Sequence, residues 1–274
     1  MRWVEEYLQE DMGDGDITTL ALIGDEEGTA RVKANEEGVV AGLEQAIEVF
    51  RHLGLRATAL VSDGQAVPAG ANVLSVEGVL RSILTGERLA LNILMRMSGI
   101  ATATNKAVLA CQARNPNIRV AATRKTTPGF RRFEKRAVVL GGGDPHRSRL
   151  DDAILIKDNH LAVVGGITEA IKRAGKVSFT KKVEIEVEDL DGAEEAARAG
   201  ADIILLDNME PNIAAICAEA IRRIDPRIVV EASGGITPEN APQYAEAVDV
   251  ISLGWITHSA RAMNFSLDVL EIRG

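Results

Sequence analysis

The spacing of apolar and polar positions changes rhythm along this chain. Near the start, Trp3, Val4, Tyr7 and Leu8 fall on one side of a helix over residues 3–11. The Asp- and Gly-rich run Asp11–Thr19 that follows is turn chemistry, with Asp16 or Thr18 as the candidate cap of what comes next. From Gly28 to Glu77 apolar residues alternate. Residues 29–42 predict two strands meeting at Glu36-Glu37-Gly38, and residues 55–64 and 71–78 predict two more, joined through Val67-Pro68-Ala69-Gly70. A helical period over 43–53 lies between them. Strands with a helix over one face predict a small α/β sandwich. Residues 80–114 predict a long helix with Leu84, Leu89, Leu91, Leu94 and Met95 on its apolar face and a break near Ser98-Gly99.

Beyond Arg119 short apolar runs alternate with helical stretches. The runs are 118–123, 152–156, 183–187, 202–206, 228–232 and 249–253. Helices are predicted around 131–140, 167–174, 191–199, 211–223 and 238–246. Strand–helix–strand repetition predicts parallel strands joined by right-handed crossovers. Six such strands form either an open sheet or a barrel. Polar chemistry at the C-terminal end of every run favours a barrel, because only there do all the ends converge on one point.

The chain has 274 residues and a net charge of −9, which argues against a nucleic-acid partner. Two cysteines suggest neither a disulfide framework nor a thiolate metal site. The first residues lack the basic-then-apolar order of a signal peptide, and no apolar run is long enough for a membrane span. A soluble, cytoplasmic protein is the expectation. Against the acidic background, residues 119–160 carry ten Lys and Arg and five Asp and Glu. Arg124, Lys125, His146, Arg147 and Lys157 each lie beside a turn or a break, as cations that grip a polyanionic small molecule do.

Strand 183–187 puts Val183, Ile185 and Val187 on one face and Glu184, Glu186 and Glu188 on the other. In a barrel the acids point inward. Glu186 and Asp207, on neighbouring strand ends and with no His or Cys ligand pattern, suit Mg²⁺ or sugar hydroxyls. Ser233, Gly234, Gly235 and Gly254 end the last two runs, where backbone N–H groups can cradle a phosphate. Gly141-Gly142-Gly143 is either a further anion contact or a hinge. No Ser or Cys sits in a nucleophile motif. Lys157 as a Schiff-base lysine is the chemical competitor, and Asp158 directly after it weighs against that. The inventory suits transfer of a phosphorylated sugar to an anionic acceptor.

The motifs TRKT-x-PG-x-R-x-x-x-K, GGG-x-x-HR, LIKDNH, EIEVE, IILLDN, EASGGI and THS, with an early GDIT and ER-x-x-LN, together resemble the quinolinate phosphoribosyltransferase family over nearly the whole chain. The resemblance implies an α/β fold with an N-terminal α/β sandwich and a C-terminal incomplete α/β barrel, placed here at 1–102 (joined by 265–274) and 103–264. It implies quinolinate and phosphoribosyl pyrophosphate (PRPP) as substrates, with nicotinate mononucleotide, pyrophosphate and CO₂ as products, as in NAD biosynthesis. It also implies Mg²⁺ as cofactor and a homodimer or higher assembly. By the same resemblance Arg124, Lys125, His146, Arg147 and Lys157 meet the carboxylates and phosphates, and Arg88 enters from the partner subunit. Glu186 and Asp207 meet the ribose hydroxyls and Mg²⁺, and Ser233, Gly234, Gly235 and Gly254 hold the 5′-phosphate. Lys125, Lys157, Glu186 and Asp207 are the catalytic candidates. Ala122 departs from the Asp common in the family, which implies a local packing change. A paralogous branch associated with molybdenum transport shares most of these motifs and is the nearest rival.

Overall fold

A computed structural model describes residues 2–273. The elements run α1 (Arg2–Met12), α2 (Ile17–Leu22), β1 (Glu27–Ala34), β2 (Gly38–Val39), α3 (Leu43–His52), β3 (Arg56–Ala59), β4 (Ala66–Val67), β5 (Asn72–Val79) and α4 (Leu80–Gln112). Then come β6 (Arg119–Ala122), α5 (Arg131–Leu140), β7 (Ile154–Ile156), α6 (Asp158–Val164), α7 (Ile167–Ala174), β8 (Val183–Val187), α8 (Leu190–Ala199) and β9 (Ile203–Asp207). The chain closes with α9 (Pro211–Ile224), β10 (Val229–Ser233), β11 (Val250–Leu253), α10 (Trp255–His258) and β12 (Phe265–Arg273). It divides into two compact units, residues 1–102 with 261–274 and residues 103–260.

In the first unit an antiparallel sheet has the order β12-β1-β5-β3. Alternation along β1 buries Ala30, Val32 and Ala34. Helix α3 buries Ala46, Val49 and Phe50 along one stripe. Asp16 caps α2 by accepting the Thr19 N–H at 3.0 Å. The hairpin expected at Glu36–Gly38 does not form. Strand β2 pairs with β4, and β1 gains β12 as its second neighbour. The break expected near Ser98-Gly99 is absent too: α4 continues through both residues. A Cβ at Gly99 would stand 2.1 Å from the Arg261 carbonyl oxygen, so this glycine makes room for a crossing backbone. Ser98 Oγ meets both the N–H and the carbonyl of Ala41, at 2.9 and 3.1 Å.

The second unit holds six parallel strands in the order β6-β11-β10-β9-β8-β7. Its edge strands, β6 and β7, are consecutive in sequence, so this is the strand order of a barrel left open between them. On the free side of β6 the segment at Asp144 makes a short parallel bridge to Ala121. Outward-facing Ile185, Ile204, Leu206, Val230 and Ile251 are buried, as are Ala193, Ala196, Cys217 and Ile221 on α8 and α9. The helix expected at 238–246 is only a single 3₁₀ turn, Ala241–Gln243. Pro242 has no N–H to continue an α-helical ladder. Short helices α2, α6 and α10 have no counterpart in the periodicity of the sequence.

Candidate active site

Each strand of the second unit sends alternate residues inward, and the last of them stand at its C-terminal end. A cavity of about 450 Å³ opens there, lined in its depth by Ala122, Leu155, Glu184, Leu205, Glu231 and Ser252. The outer wall is Arg124, Lys157, Glu186, Asp207 and Ser233, with Thr123, Lys125, His146, Arg147, Asn208, Gly234 and Gly235 from the following loops. Residues far apart in sequence meet because parallel strands bring all these ends to one rim.

Arg124 Nε is buried and has no hydrogen-bond partner among the described residues. Burial, and then the nearby Arg124 charge, hold the Arg147 guanidinium below its ordinary value. Two mutually repelling cations with an unused buried donor make a receptor for an anion. The loops bearing them are tied to α5. Lys135 Nζ donates to the Ala122 carbonyl at 3.2 Å and to the Pro145 carbonyl. Glu134 accepts the Thr127 N–H and hydroxyl, each at 3.0 Å, and Arg131 donates to the Thr126 hydroxyl and the Ser148 carbonyl.

Lys157 Nζ forms an ion pair with Glu186. Burial and then the Glu186 charge raise the Asp207 carboxyl above its usual range. Asn208, in left-handed backbone at φ 54°, donates its amide to Asp207 Oδ2 at 2.8 Å. Gly234, at φ 83°, passes so close that an added Cβ would lie 2.4 Å from Asn208 Oδ1. Two carboxylates that repel each other on one rim offer hard oxygen donors, which fit Mg²⁺.

His146, Glu184 and Glu231 form a His-containing cluster that the sequence did not suggest, with ligand atoms within 4.8 Å of one another. His146 Nε2 lies 3.3 Å from Glu231 and 3.6 Å from Glu184. Its Nδ1 accepts the Arg147 backbone N–H at 2.7 Å. Burial opposes charge on this ring, while the two carboxylates pull its pKa upward. A second proton on Nδ1 would force the Arg147 N–H away, so the backbone works against that pull. With Nδ1 as acceptor the hydrogen sits on Nε2, which then has no lone pair for a metal. The cluster therefore fits a cation poorly, and Glu186 with Asp207 fits one better.

Ten of the twelve residues singled out in the sequence line this one cavity. Gly254 is not among the lining residues; it leaves room for the Lys125 side chain, whose Cδ an added Cβ would meet at 3.0 Å. Arg88 belongs to the first unit, is 57 % exposed in its side chain and lies 3.8 Å from Glu87. Gly141–Gly143 do not line the cavity and form the turn leading α5 back to Asp144. Ala122 stands on the cavity wall itself. Glu184, Glu231, Ser252, Asn208 and Lys135 were not singled out as site residues. The signal for the first three is their period-two spacing from the strand-end residues 186, 233 and 254.

Fold and site together define an enzyme-like α/β protein whose cavity, at the open end of an incomplete parallel barrel, has the charge to suit a small polyanion. Comparison with known proteins narrows this. The quinolinate phosphoribosyl transferase C-terminal domain matches residues 100–268, and the N-terminal domain of the same family matches residues 16–98. A probable nicotinate-nucleotide pyrophosphorylase [carboxylating] of Methanothermobacter thermautotrophicus is 49% identical, over 99% of this chain and 98% of its own. The nicotinate-nucleotide pyrophosphorylase [carboxylating] of Homo sapiens is 40% identical, over 96% of this chain and 89% of its own. The solved structure of the nicotinate-nucleotide pyrophosphorylase from Francisella tularensis superposes with a TM-score of 0.92 at 41% identity, covering 98% of this chain and 95% of that one. The chain belongs to the quinolinate phosphoribosyl transferase family. Among the described residues no helix is long and apolar enough to cross a membrane.

Proposed function

We propose that this chain catalyses the carboxylating nicotinate-nucleotide pyrophosphorylase reaction: quinolinate and PRPP give nicotinate mononucleotide, pyrophosphate and CO₂, a step of NAD biosynthesis. The observation that carries this reading is one cavity with Arg124, Lys125, Arg147 and Lys157 on its walls and the Glu186–Asp207 pair on its rim. The cations suit a dicarboxylate and phosphates; the acids suit ribose hydroxyls and a developing positive charge.

In this reading Arg124 and Arg147 grip the acceptor carboxylates, since a guanidinium binds a carboxylate through two parallel N–H donors. Ser233, Gly234 and Gly235 meet the 5′-phosphate, and Gly254 makes room for the Lys125 side chain. Glu186 and Asp207 would hold Mg²⁺, which supplies charge neutralisation for the departing pyrophosphate. As the bond from C1′ to pyrophosphate breaks, C1′ gains oxocarbenium character, and Glu186 and Asp207 favour that charge by proximity. The pyridine nitrogen attacks C1′ and becomes cationic, which eases loss of the adjacent carboxylate as CO₂. Lys157, its Nζ paired with Glu186, orients a carboxylate rather than serving as a nucleophile. The reading includes a homodimer, with Arg88 completing the partner's cavity.

The test is incubation with quinolinate, PRPP and Mg²⁺, following nicotinate mononucleotide and CO₂, with a chelator arm. Product that vanishes with chelator and returns with Mg²⁺ or Mn²⁺ supports the whole reading. Absence of nicotinate mononucleotide with metal present overturns it, and full activity in excess chelator removes the metal from it.

A further inference from the structure

Buried Glu231 and Ser252 and the half-buried His146, all on the cavity wall, form a chain of hydrogen bonds that ends on backbone. Ser252 Oγ donates to Glu231 Oε1. Glu231 Oε2 lies 3.3 Å from His146 Nε2, and His146 Nδ1 accepts the Arg147 N–H at 2.7 Å. Glu231 and Ser252 are 2% and 3% exposed. His146 has left-handed backbone, at φ 51°, and its own N–H donates to Asp144 Oδ1 at 2.7 Å. Left-handed backbone is uncommon for any residue with a β-carbon, and here the Asp144 contact holds it.

Both ring nitrogens of His146 are engaged: Nε2 by Glu231, with Glu184 3.6 Å away, and Nδ1 by Arg147. With these bonds in place neither nitrogen is left for a ligand. The ring instead connects a fixed buried carboxylate to the peptide that carries Arg147. We propose that Ser252, Glu231 and His146 act as a positioning chain that fixes the Arg147 backbone, so that Glu231 and Ser252 govern acceptor binding through Arg147. This rests on the reading of Arg147 as an acceptor ligand.

Glu231 is an acceptor from both sides, so it orders the chain by its charge. Changing it to glutamine replaces one oxygen by an N–H₂ group, which faces either the Ser252 hydroxyl or the His146 N–H. The His146–Arg147 bond then loses its support from behind. Ser252→Ala removes one donor with little change of volume and is the gentler variant.

The experiment has one arm that needs no activity. In protein labelled with ¹⁵N in its four histidines, the ring of His146, assigned by its loss in His146→Gln, is examined without ligand at neutral pH. The expected result is hydrogen on Nε2 and a bare Nδ1 in the wild type, with a shifted or averaged signal in Glu231→Gln. The second arm is a double-mutant cycle in steady-state kinetics. Glu231→Gln and Ser252→Ala are each expected to raise KM for quinolinate by roughly tenfold, with little change in KM for PRPP. Adding Glu231→Gln to Arg147→Ala is expected to change KM no further, because both lesions remove the same interaction. A wild-type ring with hydrogen on Nδ1 overturns the proposal, as does additivity with Arg147→Ala. If the wild type does not use quinolinate, the proposed function fails while the ring signal still judges the chain of bonds.

Discussion

Lys157 and Glu186 form an ion pair across the C-terminal ends of β7 and β8. The pairing engages the Lys157 nitrogen with a carboxylate instead of presenting it to a carbonyl carbon. Borohydride added during turnover is expected to leave the protein mass unchanged. A stable adduct at Lys157 would restore the Schiff-base reading.

Arg124 and Arg147 are predicted to be intolerant of lysine. A lysine keeps the charge but loses the two-pronged grip. Each substitution should cost about 1.5–3 kcal/mol of acceptor binding, or roughly tenfold or more in kcat/KM for quinolinate. Melting temperature should barely move. Unchanged kinetics in either variant would remove that residue from the site.

Lys135 makes a prediction about pH. Burial, and next the Arg131 charge, lower its pKa to about 8. The unfolded chain, at about 10.4, therefore binds more protons between these values, and stability from this residue rises with pH across that window. Melting curves of wild type and Lys135→Met from about pH 8 to about pH 10 should diverge in favour of the wild type as pH rises. Parallel curves would mean an ordinary lysine. The same variant should lose activity at neutral pH, since the Ala122 and Pro145 carbonyls lose their common donor.

Arg88 tests the shared site of the proposed homodimer. Inactive Arg88→Ala and Lys157→Ala proteins, mixed and allowed to exchange subunits, should partly recover activity. One cavity of a mixed dimer carries both lesions and the other carries neither. No recovery despite proven exchange would place Arg88 outside the partner's cavity.

Gly99→Ala is predicted to destabilise by about 1–3 kcal/mol, the usual cost of overpacking. Its methyl would stand 2.1 Å from a carbonyl oxygen that cannot rotate away. Urea denaturation should show a lower midpoint, and an unchanged midpoint would mean that the crossing backbone yields freely.

Much of the candidate site was legible because its signals are local. Side-chain alternation put Glu184 and Glu186 on one face of β8, and both line the cavity. The six parallel strands followed from the alternation of short apolar runs with helical stretches, and the polar residues closing those runs are the ones gathered at the rim. The errors arose where a distant segment overrode a local rule. Glycine after serine reads as a helix break, yet Gly99 continues α4 because the Arg261 backbone crosses there. Strand β1 gained β12 as its second neighbour, and Lys33 meets Asp268 at 3.2 Å across 235 residues. Local alternation says nothing of such a partner. Period-two spacing puts Glu231 and Ser252 on inner strand faces, but no spacing rule joins them to His146, for their bonds exist only once β10 and β11 bring two strand interiors beside the loop after α5. Periodicity records which face of an element is buried; which groups meet on the buried side is set by packing between elements, and hydrogen bonds a few ångströms long form only after that packing is complete.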